Sequence, residues 1–408
     1  MPPSSAPPIE PVEFWRDLVA PLLGSQPTPF YLFSCTPIQA ALAELDRHLG
    51  HLPIRHWLSF KTQPLKPLIR WWRDAGRPVE VVSGFELLAA LKEGLPPEHI
   101  LANGPAKHHW LPRHLVPGLC VNLDSLAETQ VLAPLARNLN WTLGLRLNTA
   151  EEVDPEHPVH PTQFGFTAEE LPAALATLRS EYLAPGIIHF HLRTNVASPT
   201  HYAKAIAQAA AMCEDAGVKP QVLDCGGGFP VPRVLTRGGK RLDAEFSLRA
   251  MAEVYAQGLK LFPSVREIWL ENGRWLSARS GVLVVKVLDV KERRGMRNLI
   301  CDGGRVTNAL TSIWENHTLI PVPDRNGEEC LTTINGPTCM AFDQLARLPL
   351  PRSLQPGDHL IWLDAGAYHL PWETRFSHGL AAVLWHDGKG ITEARPREGF
   401  DRWWGGWN

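Results

Sequence analysis

The amino-acid sequence predicts an α/β protein: a (β/α)8 TIM-like barrel followed by a C-terminal antiparallel β domain. From about residue 30 to residue 280, short β-like runs alternate with helix-like stretches, as a parallel barrel requires. After about residue 280 helix-like stretches become rare, and strand-like runs follow one another across turns. A chain of 408 residues is long enough to form both cores.

The individual elements follow from the hydrophobic pattern. Barrel strands are expected at FYLF, HWLSF, PVEVVS, ILANG, LCVNLD, WTLGLRLN, GIIHFHLR, QVLDCGGG and EIWLEN. Amphipathic helices are expected between them, for example at PIQAALAELDRHLG, GFELLAALKEG and YAKAIAQAAAMCEDAG. Strands of the β domain are expected at GVLVVKVLDVKER, RNLICDGG, ECLTTING, DHLIWLDAGAY, LAAVLWHDG and GITEARP. We therefore divide the chain into a flexible N-terminal segment (1–29) that could extend the β domain, the barrel (30–280) and the β domain (281–408).

Composition excludes several classes of partner. A net charge of -2 and a pI near 6.8 give no electrostatic reason to expect a nucleic acid or an anionic membrane. No run approaches the roughly 18 apolar residues of a membrane span. Seven cysteines without a CxxC spacing argue against a disulfide framework and against a structural metal site, and they favour the cytoplasm. The tryptophan-rich end, DRWWGGWN, is expected to pack on the protein's own surface or on a neighbouring subunit.

Unusual residues follow four of the predicted barrel strands. Lys61, His191, the glycines at 226–228 and Glu271 each come at the C-terminal end of a strand. Barrel enzymes carry their catalytic groups at these ends. The four positions therefore predict an active site.

Each of these residues can be interpreted in two ways from its own segment. Lys61 could keep its ammonium in water, or its pKa could be lowered so that the amine attacks an aldehyde. His189 and His191 face the same side of a strand, so one could stack on a planar ligand or both could be core residues. Glu271 and Arg274 could act on a ligand or form a surface ion pair.

Three further segments are equally open. The glycines of LDCGGGFP could bring backbone N–H groups to a phosphate or simply form a tight turn. They are not a dinucleotide fingerprint, because no GxGxxG opens a helix. Cys339 in INGPTCMAFD could be an acid/base group or a small buried residue, and Tyr368 in DAGAYHLP could bind a phosphate or mark a bend.

Together these segments resemble the fold-type III pyridoxal-phosphate decarboxylases, the family of ornithine and meso-diaminopimelate decarboxylases with an alanine-racemase-like barrel. The matching segments keep the family's order and spacing between residues 30 and 370. They are FKTQP, VEVVSGFEL, NGPAK, LRLN, QFGF, HFHLRTN, DCGGGFP, ENGR, CDGG, NGPTC and DAGAY.

The resemblance implies pyridoxal 5′-phosphate as the cofactor, with Lys61 bonded to its aldehyde. His191 would stack on the pyridine ring, and Glu271 would keep the pyridine nitrogen protonated. A protonated ring accepts the electrons that remain when carbon dioxide leaves, so Glu271 favours decarboxylation over racemisation. The other cofactor contacts that the resemblance implies are Thr194, Gly226, Gly227, Gly228, Gly273, Arg274 and Tyr368.

The resemblance also implies a homodimer with shared active sites. In the family, the β domain of one subunit reaches the barrel of its partner. Cys339 would then act across the interface and donate a proton to Cα after carbon dioxide has left.

The substrate-binding positions depart from the family pattern. Arg193 replaces a glycine, and Met340 replaces an acidic residue. The candidate substrate-binding residues are Arg193, Trp314, Glu315, Met340 and Asp343. They predict the decarboxylation of an L-amino acid to an amine, with an acylated, citrylated or carrier-bound amino acid of siderophore or antibiotic biosynthesis as the alternative. A racemase of the same fold and a non-catalytic, cofactor-binding regulatory homologue also stay open.

Overall fold

A computed structural model describes residues 10–153, 159–307 and 315–407 of the chain. The elements before residue 280 are α1 (Pro11–Val19), β1 (Phe30–Ser34), α2 (Cys35–Leu49), β2 (Ile54–His56), β3 (Leu58–Ser59), α3 (Lys66–Asp74), β4 (Val79–Val81), α4 (Gly84–Lys92), β5 (Ile100–Ala102), β6 (Cys120–Leu123), α5 (Leu126–Leu139), β7 (Thr142–Arg146), α6 (Leu171–Ser180), β8 (Ile187–His189), α7 (Pro199–Asp215), β9 (Val222–Asp224), β10 (Leu235–Thr236), α8 (Leu248–Leu261), β11 (Glu267–Leu270) and α9 (Gly273–Ser277). The later elements are β12 (Gly281–Arg293), β13 (Met296–Cys301), β14 (Glu315–Asn316), β15 (Leu319–Val322), β16 (Glu329–Asn335), β17 (Gln344–Pro351), β18 (His359–Trp362), α10 (His369–Trp372), β19 (Ala382–His386), β20 (Ile391–Arg395) and α11 (Phe400–Gly405).

The chain forms two compact units. The barrel unit contains Ala43–Pro230 and Asp243–Trp275. The β unit contains the described residues before 43, Val231–Leu242 and the described residues from 276 onward.

The barrel unit is a parallel sheet with the strand order β2-β11-β9-β8-β7-β6-β5-β4-β3. Trp57 alone separates β2 from β3: β2 pairs with β11 and β3 pairs with β4. The two short strands are thus one bent strand that closes the sheet, since Trp57 N donates to Leu270 O at 2.8 Å and Leu58 N to Pro78 O at 3.1 Å. With this strand counted once there are eight strand positions, which confirms the predicted barrel.

Buried apolar strands hold the barrel together. Strands β4, β5 and β6 are buried at every residue, as expected for parallel strands that are covered on both faces. A cluster inside the unit contains Trp57, Leu101, Cys120, Ile187 and Trp269. Serine side chains cap the helices that follow three of the strands, because Ser83, Ser125 and Ser247 accept the N–H groups of residues 86, 128 and 250.

The β unit contains a mostly antiparallel sheet with the order β17-β16-β13-β12-β1-β19-β20, in which β18 also pairs with β12 and β15. This confirms the predicted antiparallel β domain. Strands β13 and β16 are parallel neighbours, so the loops that follow them leave the same edge of the sheet. The core of this unit includes Trp15, Phe30, Leu32, Val282 and Ile361.

The N-terminal region differs from the prediction. Strand β1, expected in the barrel, pairs with β12 and β19 in the sheet of the β unit. A fully apolar run is equally compatible with either sheet, so periodicity could not assign it. Residues 11–19 of the expected flexible segment form helix α1, and its Trp15 and Val19 are buried in the core of the β unit, so this segment extends the β domain as the prediction allowed. Residues 1–9 lie outside the described part of the chain.

Two further observations concern the secondary structure. Strand β17 was not among the predicted strands, because Pro349 and Pro351 interrupt its pattern; it lies at the end of the strand order, where proline is tolerated. Among the described residues, none of the helices combines the length and hydropathy that crossing a membrane requires.

Candidate active site

The structure places the four predicted positions at the C-terminal ends of barrel strands. Lys61 follows β3 in a short 3-10 turn, and His191 lies two residues after β8. The glycines at 226–228 come after β9, and Glu271 directly follows β11. Parallel strands end at the same face of a barrel, so the order of strands brings these groups to one face.

Lys61 is held by a carboxylate from the next strand. Its Nζ donates to the two carboxylate oxygens of Glu80 at 2.8 and 2.9 Å. The side chain of Glu80 is 1% exposed, whereas that of Lys61 is 36% exposed. The amine therefore has a fixed direction but remains open to solvent.

Glu86 is a second acidic residue that interacts electrostatically with Lys61 and Glu80. Its Oε2 accepts the N–H of Val82 at 2.8 Å. Burial, together with the charge of Glu80, raises the pKa of Glu86 to about 7, although the Val82 N–H and the Lys61 charge oppose the shift. Near neutral pH this carboxyl can therefore hold or release a proton beside Lys61.

Glu271 is a buried carboxylate with three polar neighbours. Asn103 Nδ2 donates to its Oε1. His189 Nε2 lies 3.4 Å from Oε1, and His191 Nδ1 lies 3.6 Å from Oε2. Burial alone would raise the pKa of Glu271, but the two histidines and the Lys61 charge hold it below its usual value. Glu271 is thus ionised at neutral pH.

The two histidines differ in their environment. Burial lowers the pKa of His189 to about 3, although the negative charge of Glu271 opposes this shift. The side chain of His191 is 30% exposed, and its Nδ1 accepts the N–H of Gly227 at 3.2 Å. His189, His191 and Glu271 present possible ligand atoms within 4.8 Å of one another, a spacing that would also suit a metal ion.

A second carboxyl lies next to Glu271. Asp224 accepts the side-chain N–H of Asn122 and the backbone N–H of Gly226, each at 3.1 Å. Burial, and then the charge of Glu271, raises the pKa of Asp224 well above its usual value. The pair therefore carries one negative charge, and we assign it to Glu271.

The glycine loop packs tightly against the segments beside it. A Cβ at Gly226 would lie closer than 3.0 Å to His191 and Phe190, and one at Gly227 would collide with the carbonyl of Glu271. Gly228 has a φ of +98°, which also favours glycine. Its N–H donates to no residue that the structure describes. A glycine loop with an available N–H at Gly228 fits the phosphate of pyridoxal phosphate.

Gly273 brings the Glu271 strand close to Lys61. A Cβ at Gly273 would lie closer than 3.0 Å to Thr62 and Ser59, which flank the Lys61 turn. Ser59 Oγ donates to the Glu271 carbonyl at 3.4 Å. Arg274, the next residue, is 6% exposed and lies at the start of α9.

Two predicted residues follow His191 without strong contacts. Arg193 is half-buried, and its guanidinium has no hydrogen bond or ion pair to any described residue. Its carbonyl lies so close to Gly228 that a Cβ there would collide with it. Thr194 is exposed.

The remaining predicted residues belong to the β unit. Cys339 is exposed and Met340 is half-buried, in the loop after β16. Tyr368 is half-buried, has a φ of +69° and packs against a cluster that contains Val231 and Ala367. Trp314 lies outside the described residues.

Two predicted substrate-binding carboxylates already have protein partners. Glu315 is 4% exposed, and its Oε2 lies 3.2 Å from His317 Nε2. Asp343 is 2% exposed and accepts hydrogen bonds from the backbone and hydroxyl of neighbouring loops. These contacts favour a structural role for both side chains over the substrate binding that we predicted.

The sequence interpretation missed two residues that contact the predicted set. Glu80 stands between two valines of a strand buried on both faces, which is an unusual place for a charge and could have marked it. Asn103 follows β5 in the same way as Lys61 follows β3, but its partner Glu271 is 168 residues away, so the contact itself left no mark in the sequence.

A family model and several related proteins all match this chain to decarboxylases. Residues 36–278 match the family model described as the pyridoxal-binding domain of pyridoxal-dependent decarboxylases. A diaminopimelate decarboxylase of Deinococcus radiodurans is 30% identical over 373 residues, which are 88% of this chain and 91% of that relative. The L-glutamyl-BtrI acyl-carrier protein decarboxylase of Niallia circulans is 30% identical, with 84% of each chain covered.

A solved structure supports the fold. The crystal structure of Helicobacter pylori diaminopimelate decarboxylase complexed with L-lysine superposes with a TM-score of 0.80, covering 94% of this chain and 98% of that one. At 21% identity this likeness concerns the fold alone. The family match and the 30% identical relatives carry the assignment further. The chain belongs to the pyridoxal-dependent decarboxylases and is a carboxy-lyase that uses pyridoxal phosphate to decarboxylate an amino acid.

Proposed function

We propose that this decarboxylase acts on an L-amino acid whose far end carries an anionic group. The observation that carries the proposal is Arg193, a half-buried cation two residues after His191 with no anionic partner among the described residues. A half-buried cation is costly without a counter-charge, so a substrate anion is its natural partner. Glu315, one of the predicted substrate-binding residues, lies against His317.

The barrel residues divide the work around the reacting carbon. When bound, pyridoxal phosphate supplies the electron sink that makes the loss of carbon dioxide possible. Lys61 would bind the cofactor's aldehyde, with Glu80 directing its amine. Glu271 would hold a proton on the pyridine nitrogen, because it is a buried, ionised carboxylate. His191 would lie against the ring.

The phosphate contacts are assigned on the same geometry. The glycine loop would donate its free N–H, and Gly273 with Arg274 would complete the contact from the start of α9. We also propose that Tyr368 and Thr194 contact the cofactor, as in the family that the chain resembles. Tyr368 has a left-handed backbone conformation that costs about 1–3 kcal/mol, and such strain is commonly found at ligand sites.

We propose that Cys339 donates the proton that replaces the carboxylate on Cα. Its thiol is exposed, so a second molecule of the chain can approach it. This step and the homodimer are one proposal, because the family resemblance assigns the cysteine to the partner's site. We also propose that Met340 and Trp314, two of the predicted substrate-binding residues, contact the substrate.

A carrier-bound substrate is the second candidate. The 30% identical relative from Niallia circulans is named for an L-glutamyl group on an acyl-carrier protein. If this chain acts on such a substrate, Arg193 would meet an anion of the carrier arm instead of a free carboxylate. The two sources share one chemistry, so they must be separated by experiment.

The test measures carbon dioxide release by the holoenzyme from a panel of amino acids. The panel contains lysine, ornithine and arginine with cationic far ends, and glutamate, diaminopimelate, citrylated amino acids and a carrier-bound glutamyl group with anionic ones. We expect the highest kcat/KM in the anionic set, and Arg193→Gly should raise KM for that substrate about tenfold or more. Arg193→Lys keeps the charge and should lose less. A preference for lysine or ornithine that Arg193→Gly leaves unchanged would refute the proposal.

A further inference from the structure

Two loops of the β unit come close together at one edge of its sheet. Residues 302–305 follow β13, and residues 336–340 follow β16. Strands β13 and β16 are parallel neighbours, paired from Arg297↔Thr332 to Ile300↔Asn335. Both loops therefore leave the sheet at the same end of these two strands. The second loop contains Cys339, the proposed proton donor.

Asp343 joins these two loops through its carboxylate. Oδ1 accepts the backbone N–H of Arg305 at 2.6 Å. Oδ2 accepts both the backbone N–H and the hydroxyl of Thr338, at 3.0 and 2.5 Å. The side chain is 2% exposed, so these bonds do not compete with water. Hydrogen bonds to a charged acceptor are stronger than those between neutral groups.

The backbone of Asp343 fixes the same segment from both ends. Its carbonyl accepts the N–H of Gly336 at 2.8 Å, and its N–H donates to the carbonyl of Met340 at 2.9 Å. Thr338 Oγ1 also accepts the N–H of Met340 at 3.4 Å. Both neighbours of Cys339 are therefore held, while the thiol itself is exposed.

Two glycines allow this approach. A Cβ at Gly304 or at Gly336 would lie closer than 3.0 Å to the Asp343 carboxylate, and also closer than 3.0 Å to the Cα of the other glycine. Neither glycine has a positive φ, so space and not backbone conformation requires them. The close packing leaves no room for a longer acid at position 343.

We propose that Asp343 is a positioning residue that fixes the place of the Cys339 thiol and so sets the rate of proton delivery to Cα. The inference rests on the proposed role of Cys339 and replaces the substrate-binding role that we predicted for Asp343. A buried carboxylate whose two oxygens already accept hydrogen bonds from its own loops is poorly placed to bind a substrate. Its effect on the reaction passes through Thr338 and the backbone on each side of the cysteine.

The test combines kinetics with the chemical reactivity of the thiol. Asp343→Asn presents an amide N–H to one of the backbone donors. It therefore loses at least one of the hydrogen bonds by which the Asp343 carboxylate joins the two loops. Asp358→Asn is the matched control, because Asp358 is also a buried carboxylate of the β unit, bound to Arg325 at 2.7 and 3.0 Å and to Gln355 N at 2.9 Å. It lies in a different turn from Cys339.

We expect Asp343→Asn to lower kcat at least tenfold with KM changed less than threefold, and to change the iodoacetamide alkylation rate of Cys339 at least threefold in the holoenzyme. Asp358→Asn should lower the melting temperature but leave both quantities unchanged. Cys330 and Cys339 share the tryptic peptide 326–347, so alkylation is measured in a Cys330→Ser background. Unchanged kcat and alkylation in Asp343→Asn, or equal losses in Asp358→Asn, would overturn the proposal.

A milder pair of variants covers the case in which Asp343→Asn does not fold. Thr338→Val removes the hydroxyl bond to Asp343 and the longer bond that the hydroxyl accepts from Met340 N, and Thr338→Ser keeps a hydroxyl that can make both. We expect Thr338→Val to lower kcat and Thr338→Ser to keep most of it. Equal activity of the two variants would contradict the positioning of Cys339 through Thr338 and Asp343. Cys339→Ala tests the role of the thiol in the reaction separately from the positioning role of Asp343. If Cys339→Ala keeps full kcat, the role of the thiol in the reaction fails, while the alkylation rates still decide whether Asp343 positions it.

Discussion

The two carboxylate oxygens of Glu80 lie 2.8 and 2.9 Å from Nζ of Lys61, and the two side chains differ sharply in exposure. Glu80 is 1% exposed and Lys61 is 36% exposed. The ammonium can turn to water if its partner is removed, but the carboxylate cannot. Loss of the Lys61 side chain should therefore lower the free energy of unfolding more than loss of the Glu80 charge.

This asymmetry predicts unequal effects on the stability of the enzyme after cofactor removal. Lys61→Met leaves a buried, unpaired carboxylate and should lower the free energy of unfolding by about 1–3 kcal/mol. Glu80→Gln should cost less, and the double variant should recover part of the loss of Lys61→Met. Urea unfolding of the three variants measures these differences. A larger loss in Glu80→Gln than in Lys61→Met would contradict the exposure argument.

The raised pKa of Glu86 predicts a pH dependence of stability. The folded chain keeps this carboxyl protonated up to a pH of about 7, whereas the unfolded chain releases the proton near the ordinary pKa of 4.5. The stabilisation is full below pH 4.5 and is lost as the pH rises towards 7, by up to about 3 kcal/mol. Glu86→Gln should flatten the curve of unfolding free energy in this window. Glu214→Gln, on the exposed face of α7, is the control and should leave the curve unchanged.

The proposed shared active site predicts complementation between two inactive variants. Lys61→Ala and Cys339→Ala should each be nearly inactive as pure dimers. After subunit exchange, mixed dimers contain one intact site, so an equal mixture should regain up to about a quarter of the wild-type activity. Size-exclusion chromatography with differently tagged chains shows whether exchange occurred. An exchanged mixture that stays as inactive as its parents would place Cys339 within its own chain or outside the reaction.

The positions of the candidate catalytic residues were predictable because they depend on local order along the chain. A strand that ends at Lys61, His191 or Glu271 shows in the hydrophobic pattern, and the rule for barrel strand ends then brings the residues to one face. The same pattern misassigned β1, since its run of apolar residues suits a strand of either unit. Only the pairing with β12 and β19 distinguishes the two.

Contacts between distant segments were not predictable. The bond from Asn103 to Glu271 depends on the closure of the whole barrel. Asp343 was predicted among the candidate substrate-binding residues. In the structure its carboxylate binds Arg305 and Thr338, and these contacts depend on the parallel pairing of β13 with β16. The hydrophobic periodicity of the sequence does not show which distant strands pair.

The central claim is that Lys61 binds the cofactor, and borohydride reduction of the holoenzyme tests it most directly. Reduction fixes the cofactor to its lysine, and tryptic digestion then locates it. We predict the added mass on the peptide of residues 56–70, in which the modified Lys61 is not cleaved, and loss of the absorbance at about 400 nm in Lys61→Ala. Recovery of the label on another lysine, or a Lys61→Ala variant that keeps the band and the label, would contradict the account.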